Sequence, residues 1–245
     1  HRYALPRLLT SRAHQPGTSP LTVYGPPGIQ TFIETAISIS GSRIDYELQI
    51  VEFEEGVIYQ DNLFTVECGK LEHRIDSYGF RIVEHDIPGT LLSEKLVAEG
   101  IPPGPIYKQI KMSKTPVEYQ GKWYDPRDYV GPDISGRKLA IMGDSRPTKN
   151  AVNLAEGVQV LVHEATFAED KADLAHQYYH ATSKQAATIA KEAGADVLIM
   201  THFSSRYQGD EIKRLAVEAL EIHPEVYTAY DGFRYLIERK RLERT

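Results

Sequence analysis

The chain has 245 residues with a net charge of −6, 41% apolar and 25% charged residues; no membrane-length apolar run and no charged-then-apolar leader occurs, so it reads as soluble and cytoplasmic. A single cysteine, Cys68, excludes an internal disulfide and a multi-thiolate zinc site, so a metal would have to rest on His, Asp and Glu. The acidic balance excludes a surface that grips nucleic acid everywhere.

The predicted elements follow in chain order. Over residues 4–13, Leu5, Leu8, Leu9 and Arg12 are spaced for one apolar and one basic helix face. LTVYG (21–25) reads as a strand. Pro26 and Pro27 open a helix in which Ile29, Phe32, Ile33, Ala36 and Ile37 fall on one face. Between 46 and 84, YELQIVEFE, GVIYQ, LFTVECGKLEH and YGFRIVE, broken by Glu-Gly, Asp-Asn and Asp-Ser, predict antiparallel strands. Residues 86–136 hold seven of the 14 prolines and the only tryptophan, Trp123. They show little periodicity after LLSEKLVAEG, the composition of an insertion or projecting arm. Strands return at RKLAIMGDS (137–145) and VQVLVHEATF (158–167). Thr182 and Gln185 have capping-box spacing, so a helix should start there and run to Gly194. DVLIM is the next strand, a helix follows through Ile212, Leu215 and Ala219, and VYTAYDGFRYLIE closes the chain as one or two strands.

Four of these apolar runs deliver ionisable groups at one end: 63–72 at His73, 137–142 at Asp144, 158–162 at His163-Glu164, and 197–200 at His202. A lone histidine there also serves as a cap, and Gly-Asp also marks a turn. Taken together, imidazole and carboxylate suit a cation such as Zn²⁺ or Mn²⁺. His180, just before the capped helix, either helps hold an anion such as phosphate or merely precedes the cap. Basic clusters occur at Arg2, Arg7 and Arg12, at Lys108, Lys111 and Lys114, and in the terminal RKRLER; each is a local patch or scattered solvated charge. His14, His85, His176 and His223 carry no signal and read as surface or packing residues.

LEHRIDSYGFRI, IMGDSRP, VHEATF, YYHATSKQAA and THFSSRYQGD occur in the order and at the intervals of a known family. The chain resembles ribonuclease Z, the tRNA 3′-processing endonuclease of the metallo-β-lactamase fold, over essentially its whole length. GIPPGPIY (100–107) is similar to the glycine-proline motif of that family's arm, and HRYALPRLLTSRA to the stretch beginning at the last histidine of its His-x-His-x-Asp-His signature. The resemblance implies a single α/β domain over 1–245, a four-layer αββα sandwich, with 86–136 inserted as a flexible arm. It implies that Asp144 bridges two zinc ions, that His73 binds the first, and that His202 and His1 bind the second. It implies that His180, oriented by Glu164, protonates the departing 3′-oxygen, and that Arg206 steadies the scissile phosphate. Gly104, Pro105, Lys108, Lys111 and Lys114 of the arm would hold the body of a precursor tRNA, in a homodimer where one subunit's arm serves the other's site. Cleavage would leave a 3′-hydroxyl on the tRNA and a 5′-phosphate on the trailer.

The sequence departs from that pattern at its start. The family's general-base aspartate and two further histidine ligands precede the position of His1, so the chain as written is expected to lack a complete metal site and the first strands of one sheet. Two other readings remain: a hydrolase of the same fold acting on a small phosphodiester or ester, against which GIPPGPIY weighs, and a metal-free RNA-binding or structural remnant.

Overall fold

A computed structural model describes residues 4–15 and 19–240; His1, Arg2 and most of the terminal basic run lie outside the described residues. Helix α1 (Ala4–Ala13), strand β1 (Leu21–Gly25), helix α2 (Ile29–Ser40) and strand β2 (Leu48–Glu52) form one unit. Their apolar faces close over Leu9, Ile29 and Ile33. Gly28 precedes α2 with φ 87°, a left-handed conformation that costs glycine little. Its free N–H, with that of Gln30, donates to Glu52 Oε1. β1 and β2 pair in parallel, which corrects the expectation that 46–84 is wholly antiparallel: with a helix between them the chain crosses over and re-enters in the same direction.

Strands β3 (Gly56–Gln60), β4 (Phe64–Leu71) and β5 (Ser77–Glu84) form the antiparallel ladder read from the sequence. Phe53 ties the first unit to it, edge-on to Tyr78 and Phe80. Residues 86–136 then leave the sheet and build helix α3 (Ser93–Ala98), helix α4 (Pro105–Met112), the hairpin β6 (Val117–Tyr119) and β7 (Lys122–Tyr124), and helix α5 (Pro126–Tyr129). The segment has its own apolar cluster of Leu96, Ile101, Ile106, Ile110, Tyr124 and Tyr129. Its stem is two antiparallel bridges, Ile87 with Ile134 and Leu91 with Val130. At the root a Cβ on Gly136 would lie 1.8 Å from the Glu84 carbonyl oxygen, so only glycine permits this approach.

The chain continues through β8 (Lys138–Met142), α6 (Lys149–Leu154), β9 (Val160–Glu164), a 3₁₀ turn at Glu169–Lys171, α7 (Ala172–Tyr178), α8 (Ser183–Ala193), β10 (Val197–Thr201), α9 (Asp210–Leu220) and β11 (Val226–Thr228). The capping box at Thr182 and Gln185 is formed in both directions, and Gly194 closes α8. The large sheet has the order β11-β10-β9-β8-β5-β4-β3. One face packs Ala140, Met142, Leu161, Leu198 and Met200 against helix residues, with Ala186, Ala187 and Ala190 of α8 fully buried. The other carries Val160, Val197 and Ile199 beneath Tyr227, Phe233 and Ile237.

Only Val226–Thr228 of the closing segment pairs as a strand, which corrects the expectation of a longer one. Beyond Gly232 (φ 89°) the tail is held by side chains. Arg239 bonds Glu84, and Lys240 lies 3.0 Å from Asp196. Glu84 is buried, and hydrogen bonds from Arg137 and then Arg239 hold its carboxyl far below the usual range, against the upward push of burial. No helix among the described residues is long and apolar enough to cross a membrane.

Strand direction decides where the chemistry lies. β8, β9 and β10 are mutually parallel. β4 is two antiparallel steps from β8, through β5, and therefore runs the same way. The C-terminal ends of β4, β8, β9 and β10 all open on one rim. The 86–136 segment leaves from the end of β5 and returns at the start of β8, at the opposite end of the sheet.

Candidate metal and acid–base site

Each of the four strands places one or more functional groups on that rim. Glu164 ends β9 and is 1% exposed. Its Oε1 accepts from the Ser145 N–H and from His180 Nδ1, both at 2.8 Å. Its Oε2 accepts from the Thr166 hydroxyl at 2.6 Å, the Ala181 N–H at 3.1 Å and the Thr166 N–H at 3.3 Å. Burial pushes this carboxyl up, but the bonds from His180 and Thr166 outweigh it, and the net position is below the ordinary glutamate range. Glu164 is therefore an ionised anchor with its acceptor positions occupied.

The three imidazoles around it share one design. His180 donates Nδ1–H to Glu164. His73, just past β4, donates Nδ1–H to the Tyr179 carbonyl at 2.9 Å. Thr166, whose proton goes to Glu164, accepts from His202 Nδ1 at 2.9 Å. In each ring the Nδ1 bond fixes the tautomer and leaves Nε2 as the nitrogen not used in it. The rings lie together, His180 being 5.0 Å from His73 and 5.4 Å from His202 between centroids. The His180 pKa is raised, first by its bond to Glu164, against burial, with the charges of Glu164 and Asp144 adding to the rise.

Asp144, two residues past β8, has Oδ2 3.6 Å from His202 Nε2. Two ligands of one tetrahedral zinc, each about 2.0–2.2 Å from the ion, stand roughly 3.4 Å apart, so this pair fits a shared cation. His73 stands past the end of β4, two strands from β8, with its ring 5.0 Å from that of His180. Among the described residues, the one group of three whose ligand atoms all lie within 4.8 Å of one another is Glu164, His180 and His202, without His73 or Asp144. We assign Glu164 to the supporting shell instead, because five protein donors already use both its oxygens.

Of the other residues singled out in the sequence, His1 lies outside the described residues. Arg206 is exposed, its Nε bonded to Ser204 and its guanidinium 5.2 Å over the Phe167 ring, which sits edge-on to His180. Gly104, Pro105, Lys108, Lys111 and Lys114 belong to the 86–136 segment and not to this rim. Gly104 precedes α4 and Pro105 starts it. His163 is fully buried, its Nδ1 2.7 Å from the Glu164 carbonyl, and burial pushes its pKa down, so it is neutral packing beneath the site. Sequence reasoning missed Thr166, Ser145 and Tyr179. Thr166 stands two residues after Glu164 within a quoted motif, the one signal available. Ser145 and Tyr179 act through backbone groups, which leave no mark on residue type.

No family model matches the chain. Ribonuclease Z of Anoxybacillus flavithermus is 52% identical over 240 residues, spanning 98% of this chain and 77% of that protein. Ribonuclease Z of Geobacillus kaustophilus is 49% identical over 239 residues, with 98% and 78% covered. Among solved structures, human tRNase Z, short form, matches with a TM-score of 0.59 at 24% identity, over 94% of this chain and 71% of that one. The metallo-β-lactamase fold protein YhfI from Bacillus subtilis matches with a TM-score of 0.60 at 19% identity, over the same shares. The architecture is the metallo-β-lactamase fold.

Proposed function

The chain belongs to the ribonuclease Z family, and from that membership we propose that it is a zinc-dependent endoribonuclease removing the 3′ trailer from precursor tRNA in the cytoplasm, leaving a 3′-hydroxyl on the tRNA and a 5′-phosphate on the trailer. The observation that carries the proposal is the set of three imidazoles on one rim beside Asp144, each with Nδ1 engaged and His202 turning its Nε2 to Asp144. In this reading His73, Asp144, His202 and His1 would contribute to holding two zinc ions. When bound, such a pair supplies positive charge to the phosphate and activates water for in-line displacement.

The protein's own groups handle the leaving oxygen. A raised pKa keeps His180 protonated nearer neutral pH than a free imidazole. With Nδ1–H on Glu164, the second proton sits on Nε2 and faces the rim, where it can pass to the departing 3′-oxygen. Glu164, itself fixed, orients the ring and stabilises its charge. Arg206, exposed beside Phe167, supplies a guanidinium to the scissile phosphate.

The 245 residues form one domain, with 86–136 as its tRNA-binding arm. Lys108, Lys111 and Lys114 make no ion pair among the described residues and line the arm with positive charge, while Gly104 and Pro105 shape the turn into α4. The arm's root at Glu84 and Gly136 is at the far end of the sheet from Asp144. That separation supports a homodimer in which the arm presents tRNA to the partner's site. The test is incubation of the enzyme carrying the family's full His-x-His-x-Asp-His signature with a precursor tRNA that bears a 3′ trailer. One cut at the tRNA–trailer junction, with a 3′-hydroxyl on the tRNA, is expected. An untouched precursor alongside hydrolysis of bis(p-nitrophenyl) phosphate would favour a small-phosphodiester hydrolase.

A further inference from the structure

Tyr179 has φ 62° and ψ 43°, one of three non-glycine residues with a left-handed φ among the described residues. A bulky L-residue adopts this conformation only when its surroundings hold it. Two functional groups depend on it. Its carbonyl accepts His73 Nδ1–H, and the next residue is His180, whose own N–H returns to the Ala175 carbonyl. A turn of any other handedness here would point that carbonyl away from His73 and carry His180 off Glu164.

What faces the Tyr179 ring is Arg146, its guanidinium carbon 3.8 Å from the ring centroid, close enough for cation–π stacking. Arg146 also reaches both neighbouring segments. Its backbone N–H donates to the Glu72 carbonyl at 3.0 Å, and its Nε is 3.4 Å from Glu72 Oε1, without a hydrogen bond there. Its Nη1 lies 3.2 Å from His176 Nε2, in the last turn of α7. Arg146 follows Asp144 by two residues and Glu72 precedes His73, so one side chain spans three segments that carry site groups.

We propose that Arg146 is a positioning residue: stacked on Tyr179, it holds that residue left-handed, so that the Tyr179 carbonyl fixes the His73 tautomer and His180 meets Glu164. The assignment rests on the roles given above to His73 and His180. Its consequence for the fold is separable from them, because the His73 hydrogen bond exists without metal or RNA.

The experiment pairs Arg146→Met with Tyr179→Gly, since glycine takes the left-handed conformation without a clamp. In metal-free protein, two-bond ¹H–¹⁵N spectra of the histidine rings report the His73 tautomer. Arg146→Met is expected to convert His73 from a fixed Nδ1–H form to a tautomer mixture. Tyr179→Gly, and the double variant, should keep the fixed form. On precursor tRNA, Arg146→Met should lower kcat about 10–100-fold, the usual effect of losing a group that orients a ligand, with KM within twofold. In the Tyr179→Gly background the same change should cost little. An unaltered His73 signal in Arg146→Met overturns the proposal. So does a loss wholly in KM, which would make Arg146 a direct RNA contact, or an equal kcat loss in both backgrounds. Should the parent protein fail to cut precursor tRNA, the functional reading falls and the spectra still decide the clamp.

Discussion

Replacing Glu164 by glutamine keeps its shape and removes its charge, in a site where both oxygens are engaged. One side faces the Ser145 N–H and His180 Nδ1–H; the other faces the Thr166 hydroxyl, Thr166 N–H and Ala181 N–H. Glutamine has one acceptor oxygen, so its NH₂ must meet one of these donor sets. With the amide toward Thr166, the hydroxyl rotates to the His202 carbonyl, 3.0 Å away, and the Ala181 and Thr166 N–H groups lose their acceptor. Each orphaned buried donor costs about 1–3 kcal/mol, and relief of a buried charge offsets part of it, for a net loss of roughly 2–4 kcal/mol. Because Glu164 titrates below its unfolded value, its contribution is present above the ordinary glutamate range and lost as pH falls through the folded pKa. The stability gap between parent and variant should therefore narrow in acid. The kcat should fall about 10²–10⁴-fold, the range of a lost general acid. Urea unfolding of metal-free protein across pH, with single-turnover cleavage at neutral pH, measures both. A variant within about 0.5 kcal/mol of the parent and equally active would refute the assignment of Glu164 as the buried anchor.

Three other outcomes are expected. Glu84→Gln breaks the tie between β5 and the tail. Since Arg137 and Arg239 depress the Glu84 pKa, the variant's Tm deficit should be largest near pH 7 and shrink as pH drops below the ordinary glutamate range; a pH-independent deficit would point to packing alone. Changing Lys108, Lys111 and Lys114 together to alanine should weaken precursor-tRNA binding and flatten its salt dependence, leaving cleavage of a small phosphodiester as before. Equal losses on both substrates would make the arm structural. Gly136→Ala should lower Tm by several degrees, because its methyl would lie 1.8 Å from the Glu84 carbonyl oxygen; an unchanged Tm would show that the arm's root can shift freely.

Elements with a local cause were legible in the sequence. The capping box fixes the start of α8, and apolar runs ending in His or Asp mark strands whose ends meet because β4, β8, β9 and β10 run one way. Pairing was not legible. β2 has the composition of its neighbours, yet joins β1 across α2, and nothing local encodes a partner 27 residues earlier. Six- and seven-residue helices such as α6 and α7 are too short to show a period. The tail past Thr228 has strand-like residues but is held by Arg239 and Lys240. At the site, side chains could be named from the sequence, but the groups that orient them could not. The Thr166 hydroxyl, the Ser145 N–H and the Tyr179 carbonyl become functional only through tertiary placement.

The most direct test is diffraction at the zinc edge from crystals of the zinc-loaded protein. Anomalous peaks about 2.0–2.2 Å from His73 Nε2, His202 Nε2 and the Asp144 carboxylate are expected, with Glu164 still holding His180. A metal bound instead by Glu164 or His180, or by no residue of this rim, would contradict the site described.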